Sequence, residues 1–167
     1  MSGGVFNPSR EEYDWLGDGF YFFEYAPFRA WQWAELVAKS RGDDPAVIEA
    51  QVLLGRCLNL LDIAPMDGLP IAYEEVVQVY HQSGTKLPSN TDKGAHFLDR
   101  EVINLYCELA EQETATAFQT VRGYFPEGKQ IYPGSKMLTL THVQIAVRDA
   151  DCISQAKIVP PQSFGKE

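Results

Sequence analysis

The chain has 167 residues, 45% of them hydrophobic and 22% charged. That is ordinary globular composition at the length of about one domain. Its 14 Lys and Arg against 23 Asp and Glu leave a formal charge of −9. Such a surface argues against tight nonspecific binding to phosphate backbones, while leaving nucleic acid open as a transient substrate. The widely spaced Cys57, Cys107 and Cys152 offer no CxxC or Cys/His ligand spacing. Reduced thiols are therefore expected, rather than a disulfide framework or a structural metal. Neither a signal-peptide pattern nor an apolar run of ~18 residues is present, which predicts a cytoplasmic protein with no membrane partner.

In chain order, residues 7–18 read as a loop punctuated by Pro8 and Gly17. Gly19-Phe20-Tyr21-Phe22-Phe23 is an aromatic run that predicts a short strand. Pro27 suits the first turn of a helix, in which Ala30, Trp33, Ala34, Val37 and Ala38 recur at helical spacing until Gly42 ends it. Residues 46–54 alternate, with Ile48, Ala50, Val52 and Leu54 on one side. A half-buried strand is favoured there, although the Ala, Glu, Gln and Leu content also permits a helix.

Ile71, Val76, Val79 and Tyr80 predict a helix over 70–82, closed by Gly84. A polar loop over 84–96 follows, and then a helix from Leu98 or Asp99 with the stripe Val102, Leu105, Tyr106 and Leu109. Phe118–Phe125 and Leu140–Arg148 read as strands. In the second, His142, Gln144, Ala146 and Arg148 share one face. With no repeat or linker, a single α+β domain is expected over 1–159, with a flexible tail over 160–167.

Three segments offer chemistry. In Gly17-Asp18-Gly19-Phe20-Tyr21-Phe22-Phe23, glycines would let a ligand approach the backbone and aromatic faces would stack on a flat ring; a core strand after a tight turn has the same pattern. In Val121–Gly128, Arg122 is a candidate anion contact and Glu127 a candidate carboxylate for orienting a hydroxyl; a surface ion pair is the plainer reading. The row His142, Gln144, Arg148 is either a polar site wall or a solvated sheet face.

Taken together, these segments resemble the ADP-ribosyltransferase superfamily, in particular small bacterial members near the diphtheria-toxin and poly(ADP-ribose) polymerase branch. Gly19-Phe20-Tyr21-Phe22 followed by Ala30 and Trp33-Ala34 is similar to the family's Gly-x-Tyr-Phe strand and helix. Val143-Gln144-Ile145-Ala146-Val147-Arg148-Asp149, after Pro133-Gly134-Ser135, lies over its glutamate-bearing strand. Glu12-Tyr13-Asp14-Trp15-Leu16-Gly17 and Val121-Arg122-Gly123 with Glu127-Gly128 complete the likeness.

The resemblance implies a split β-sheet with flanking helices that grips NAD as substrate. Tyr21 would stack on nicotinamide, with Gly19, Phe20, Phe22, Arg122 and His142 around the dinucleotide. The family's glutamate position carries Gln144 here, which would hydrogen-bond the ribose hydroxyl, and Glu127 would be the substitute carboxylate if the fold brings it near; the glutamate role is open between the two. The family's first strand, with a His-Gly-Thr or Arg motif, would lie upstream of Met1. The implied activity is ADP-ribose transfer to an unidentified protein or nucleic acid acceptor, as in a bacterial toxin or defence effector with an antitoxin partner. The alternative is a degenerate or truncated transferase fold serving as a binding module.

Overall fold

A computed structural model describes residues 7–12, 14–91 and 95–160. Tyr13 and the expected tail beyond Pro160 lie outside the described residues. The element order is β1 (Phe20–Glu24), α1 (Pro27–Arg41), β2 (Val47–Val52), β3 (Cys57–Asn59), α2 (Leu69–Ser83), α3 (Phe97–Thr114), β4 (Thr120–Phe125), β5 (His142–Val147) and β6 (Ile153–Val159). The chain is thus α+β, as its sequence predicts.

Punctuation in the sequence places the helix ends. Pro27 occupies the first turn of α1, where its missing N–H costs nothing, and Gly42 closes that helix at φ 74°. Gly84 closes α2 in the same left-handed conformation. Four strands form one sheet in the order β1-β5-β4-β3, with β3 parallel to β4 and the other pairs antiparallel. A separate two-stranded sheet joins β2 to β6.

Register divides the main sheet into two faces, because side chains directly across a ladder point the same way. Tyr21 lies opposite Ala146 and Phe23 opposite Gln144 on β1–β5, while Gly123 faces Gln144 and Phe125 faces His142 on β4–β5. These residues share the face that packs under α3, where Leu16, Leu58, Ile103, Cys107 and Val121 form the larger core. The opposite face carries Ile145 and Val147 with Phe20 and Phe22. Val52 and Ile153 of the second sheet, with the flanking Leu54 and Cys152, cover it. Each fully buried aliphatic side chain contributes ~1.5–3 kcal/mol by leaving water.

Two strands escape the sequence pattern. β3 is only three residues long, too short for any period to show. In β6 the register shifts opposite Glu49 and Gln51 and Gln155 takes φ 51°, so the bulge breaks the alternation a strand would otherwise display.

Candidate functional site

A cleft of about 1250 Å³ opens between the start of α2, the start of α3 and the turn after β4. It exceeds the roughly 300–1,000 Å³ of ordinary small-molecule pockets. Leu60, Leu69, Tyr73 and Val102 make one side apolar, and Arg29, Glu127, His96 and Asp99 supply polar groups on its walls.

Arg29 and Glu127 meet because Pro27 starts α1 directly after β1, while Glu127 sits just past the end of β4 two strands away. The Arg29 Nη2 donates to Glu127 Oε2 at 2.5 Å. The guanidinium lies 5.5 Å from the Phe23 ring centroid and 5.9 Å from that of Trp33, which fixes its plane. The Glu127 side chain is 29% exposed, enough to present its carboxylate to a ligand.

Behind this pair stands His142, its side chain only 1% exposed. Its ring lies 4.9 Å from that of Phe23 and 5.3 Å from that of Phe125, nearly parallel to the latter. Nδ1 donates to the Leu140 carbonyl at 2.7 Å, which assigns the proton to that nitrogen. Nε2 then accepts from the Gln144 amide at 2.8 Å. Burial pushes the imidazole below its ordinary range and Arg29 adds to the effect, against the Leu140 carbonyl and Glu127, whose Oε2 is 3.9 Å from Nδ1. His142 is consequently neutral at physiological pH.

The structure gathers Glu127, His142 and Gln144 into one cluster and adds Arg29, for which the sequence carries no motif. Glu127 and Arg29 line the cleft; His142 and Gln144 form the layer beneath. The expectation that Tyr21 shares this space is not met. Although its strand position faces the same way, its hydroxyl donates to the Gly17 carbonyl at 2.7 Å and accepts from Leu16 N–H at 2.9 Å. Burial, with the nearby Asp14 charge, pushes this phenol well above its ordinary range. Tyr21 thus ties the 16–17 loop to the core through its hydroxyl, and it lines a separate cleft beside α1 and β2 rather than the one that holds Glu127.

Arg122 also departs from its expected place, because it lies one residue out of phase with Gly123 and so on the opposite sheet face. There it donates from Nε and Nη2 to Glu24 at 2.8 and 2.7 Å, and from Nη1 to Asn59 at 3.3 Å. Its charge is spent on β1 rather than on an anion in the cleft. Phe20 and Phe22 lie on that face too, packed beneath the second sheet. Gly19 serves the strand crossing: a Cβ there would stand 2.8 Å from the Val147 carbonyl oxygen. Arg148 binds Asn104 at 2.9 Å, securing β5 to α3.

On the far wall, His96 Nδ1 and Asp99 Oδ2 are 2.6 Å apart, and the His96 ring stacks on Trp15 at 3.5 Å. Their sequence signal, His-x-x-Asp at a helix start, is indistinguishable from a cap. Among the described residues, no cluster of His, Cys, Asp and Glu could hold a metal ion. No helix among them is long and apolar enough to cross a membrane. Comparison of the chain with family models, curated proteins and solved structures gives no match.

Proposed function

We propose that this chain is an ADP-ribosyltransferase-like protein that takes NAD in the cleft beside Glu127. The observation that carries the reading is the pairing of β1 with β5, which sets Phe23 opposite Gln144. Pairing of β4 with β5 sets Phe125 opposite His142 and brings Glu127 just beyond. A carboxylate at a cleft wall, oriented by a fixed guanidinium and backed by a neutral imidazole, suits a reaction that develops positive charge.

In that reaction the bond between nicotinamide nitrogen and the ribose anomeric carbon breaks, and its electron pair leaves with nicotinamide. Positive charge grows on the ribose, and Glu127 stabilises it more in the transition state than in bound NAD. Arg29 holds the carboxylate in place. His142 and Gln144 set the floor: the amide donates to Nε2, so neither group swings into the cleft. An acceptor bonds the anomeric carbon as nicotinamide departs and so takes ADP-ribose.

Nicotinamide release from NAD tests this. Glu127→Gln keeps the shape of the turn and removes the charge, and should slow release by ~10²–10³-fold. Gln144→Glu places a carboxylate where the resembled family has one and should preserve or raise the rate. Unchanged release in Glu127→Gln removes its assigned role. A binding module is the second reading, favoured by the neutrality of Gln144 and by the ion pair that offsets Glu127. NAD binding without nicotinamide release in wild type and in Gln144→Glu would establish it.

A further inference from the structure

From the far wall of the same cleft we infer that His96, held by Asp99, is the general base that activates the acceptor of ADP-ribose; this inference rests on the NAD reading above. The pair is built as a proton-abstracting dyad rather than as a helix cap. An aspartate in the first turn of a helix ordinarily caps free backbone N–H groups. Here Asn90 does that work, its Oδ1 accepting from Leu98 N at 3.1 Å and from Asp99 N at 3.2 Å. Its amide then donates to Asp99 Oδ1 at 2.9 Å, leaving Oδ2 for His96 Nδ1 at 2.6 Å.

Both carboxylate oxygens are thus committed, and the imidazole is held by one nitrogen. Trp15 fixes the plane of the ring by stacking at 3.5 Å. With Nδ1–H donating to Asp99, Nε2 carries the lone pair, and no partner for it occurs among the described residues. His96 lines the cleft together with Glu127. A column of rings separates the two: His96 on Trp15, Trp15 4.3 Å from Phe125, and Phe125 against His142 beneath Glu127. The cleft therefore has one wall suited to a developing cation and another suited to deprotonating a nucleophile. This is the separation of roles that transfer between two bound partners requires.

The step balances simply. The acceptor O–H loses its proton to His96 Nε2 as its oxygen bonds the ribose anomeric carbon, while nicotinamide leaves with the pair from the broken C–N bond. Asp99 is a positioning residue: it fixes the tautomer and faces the imidazolium that forms.

The test uses the full chain with NAD as probe and water as acceptor. Nicotinamide and free ADP-ribose are quantified, and NAD affinity is measured by calorimetry. His96→Gln should lower turnover by about 10²-fold and leave NAD affinity within a factor of two. Asp99→Asn should lower turnover with the affinity kept, and Asp99→Glu should recover part of the loss. Asp99 is exposed enough for its variants to fold, so they decide the matter if His96→Gln does not. His81→Gln, on the exposed side of α2, should change nothing. Wild-type turnover retained by His96→Gln or Asp99→Asn overturns the inference and leaves the NAD reading standing. Affinity lost in step with turnover also overturns it, since His96 would then bind NAD rather than serve as base. A wild-type chain that neither binds NAD nor releases nicotinamide overturns both.

Discussion

At His142 a single imidazole couples the site to pH. Its Nδ1–H is spent on Leu140 and its Nε2 on Gln144, inside two aromatic rings. Protonation would convert Nε2 from acceptor to donor against an amide N–H, in a place that Arg29 already makes positive. Because the folded pKa is depressed, the unfolded chain binds more protons as pH falls below ~6.5. The contribution to stability is therefore complete above that pH and is lost on acidification toward the folded pKa. Thermal melts from pH 7.5 to 5.5 should show a steeper loss for wild type than for His142→Phe; parallel slopes would refute this. Tyr21 is a residue-scale case of a different kind. Tyr21→Phe leaves the Leu16 N–H and the Gly17 carbonyl without their partner, at ~1–3 kcal/mol. Denaturant titration should record that loss while nicotinamide release stays within a few-fold. A selective loss of NAD affinity instead would return the ring to the cleft.

At the level of elements, close approach decides which residues are tolerated. Gly19 stands where β1 begins its pairing with β5, and an added Cβ would lie 2.8 Å from the Val147 carbonyl oxygen and 3.1 Å from its carbon. Backbone rather than a flexible side chain would have to yield. Gly19→Ala should cost ~1–3 kcal/mol, in the range of overpacked cores, and urea denaturation measures it; a neutral result would show that β1 can slide. The elements most legible in the sequence were those with caps or strict alternation. Pro27 and Gly42 bracket α1, and Val143, Ile145 and Val147 mark β5. The preference for a strand over a helix at 46–54 held because β6 supplies the partner for β2. β6 was itself illegible: exposed Ser154 to Lys157 follow no period across a bulge.

The whole molecule depends on a four-stranded sheet covered on both faces, by α3 on one and by the β2–β6 pair on the other. Leu58 is 1% exposed and joins the parallel strand β3 to the core under α3. Leu58→Ala should destabilise by ~2–5 kcal/mol, the usual range for a buried leucine. A calorimetric melt would show it as one lowered transition. Two separated transitions would mean that the second sheet unfolds on its own.

Sequence alone determined the α+β class, α1 and α2 by their glycine stops, α3 by its apolar stripe, and the central strand whose polar face holds His142 and Gln144. Those are local properties, written in periods of two and 3.6 residues and in where Pro and Gly stand. The tertiary structure alone decided which charged groups meet. Glu127 is joined to Arg29 from 98 residues away, and Arg122 to Glu24 across an equal separation on the other face. A one-residue step along β4 sent Arg122 away from the cleft, since neighbouring strand residues point to opposite faces. Tyr21 kept the predicted face, and its hydroxyl found two backbone partners in the preceding loop. Such pairings depend on register and crossing strands, and no short stretch of sequence encodes them.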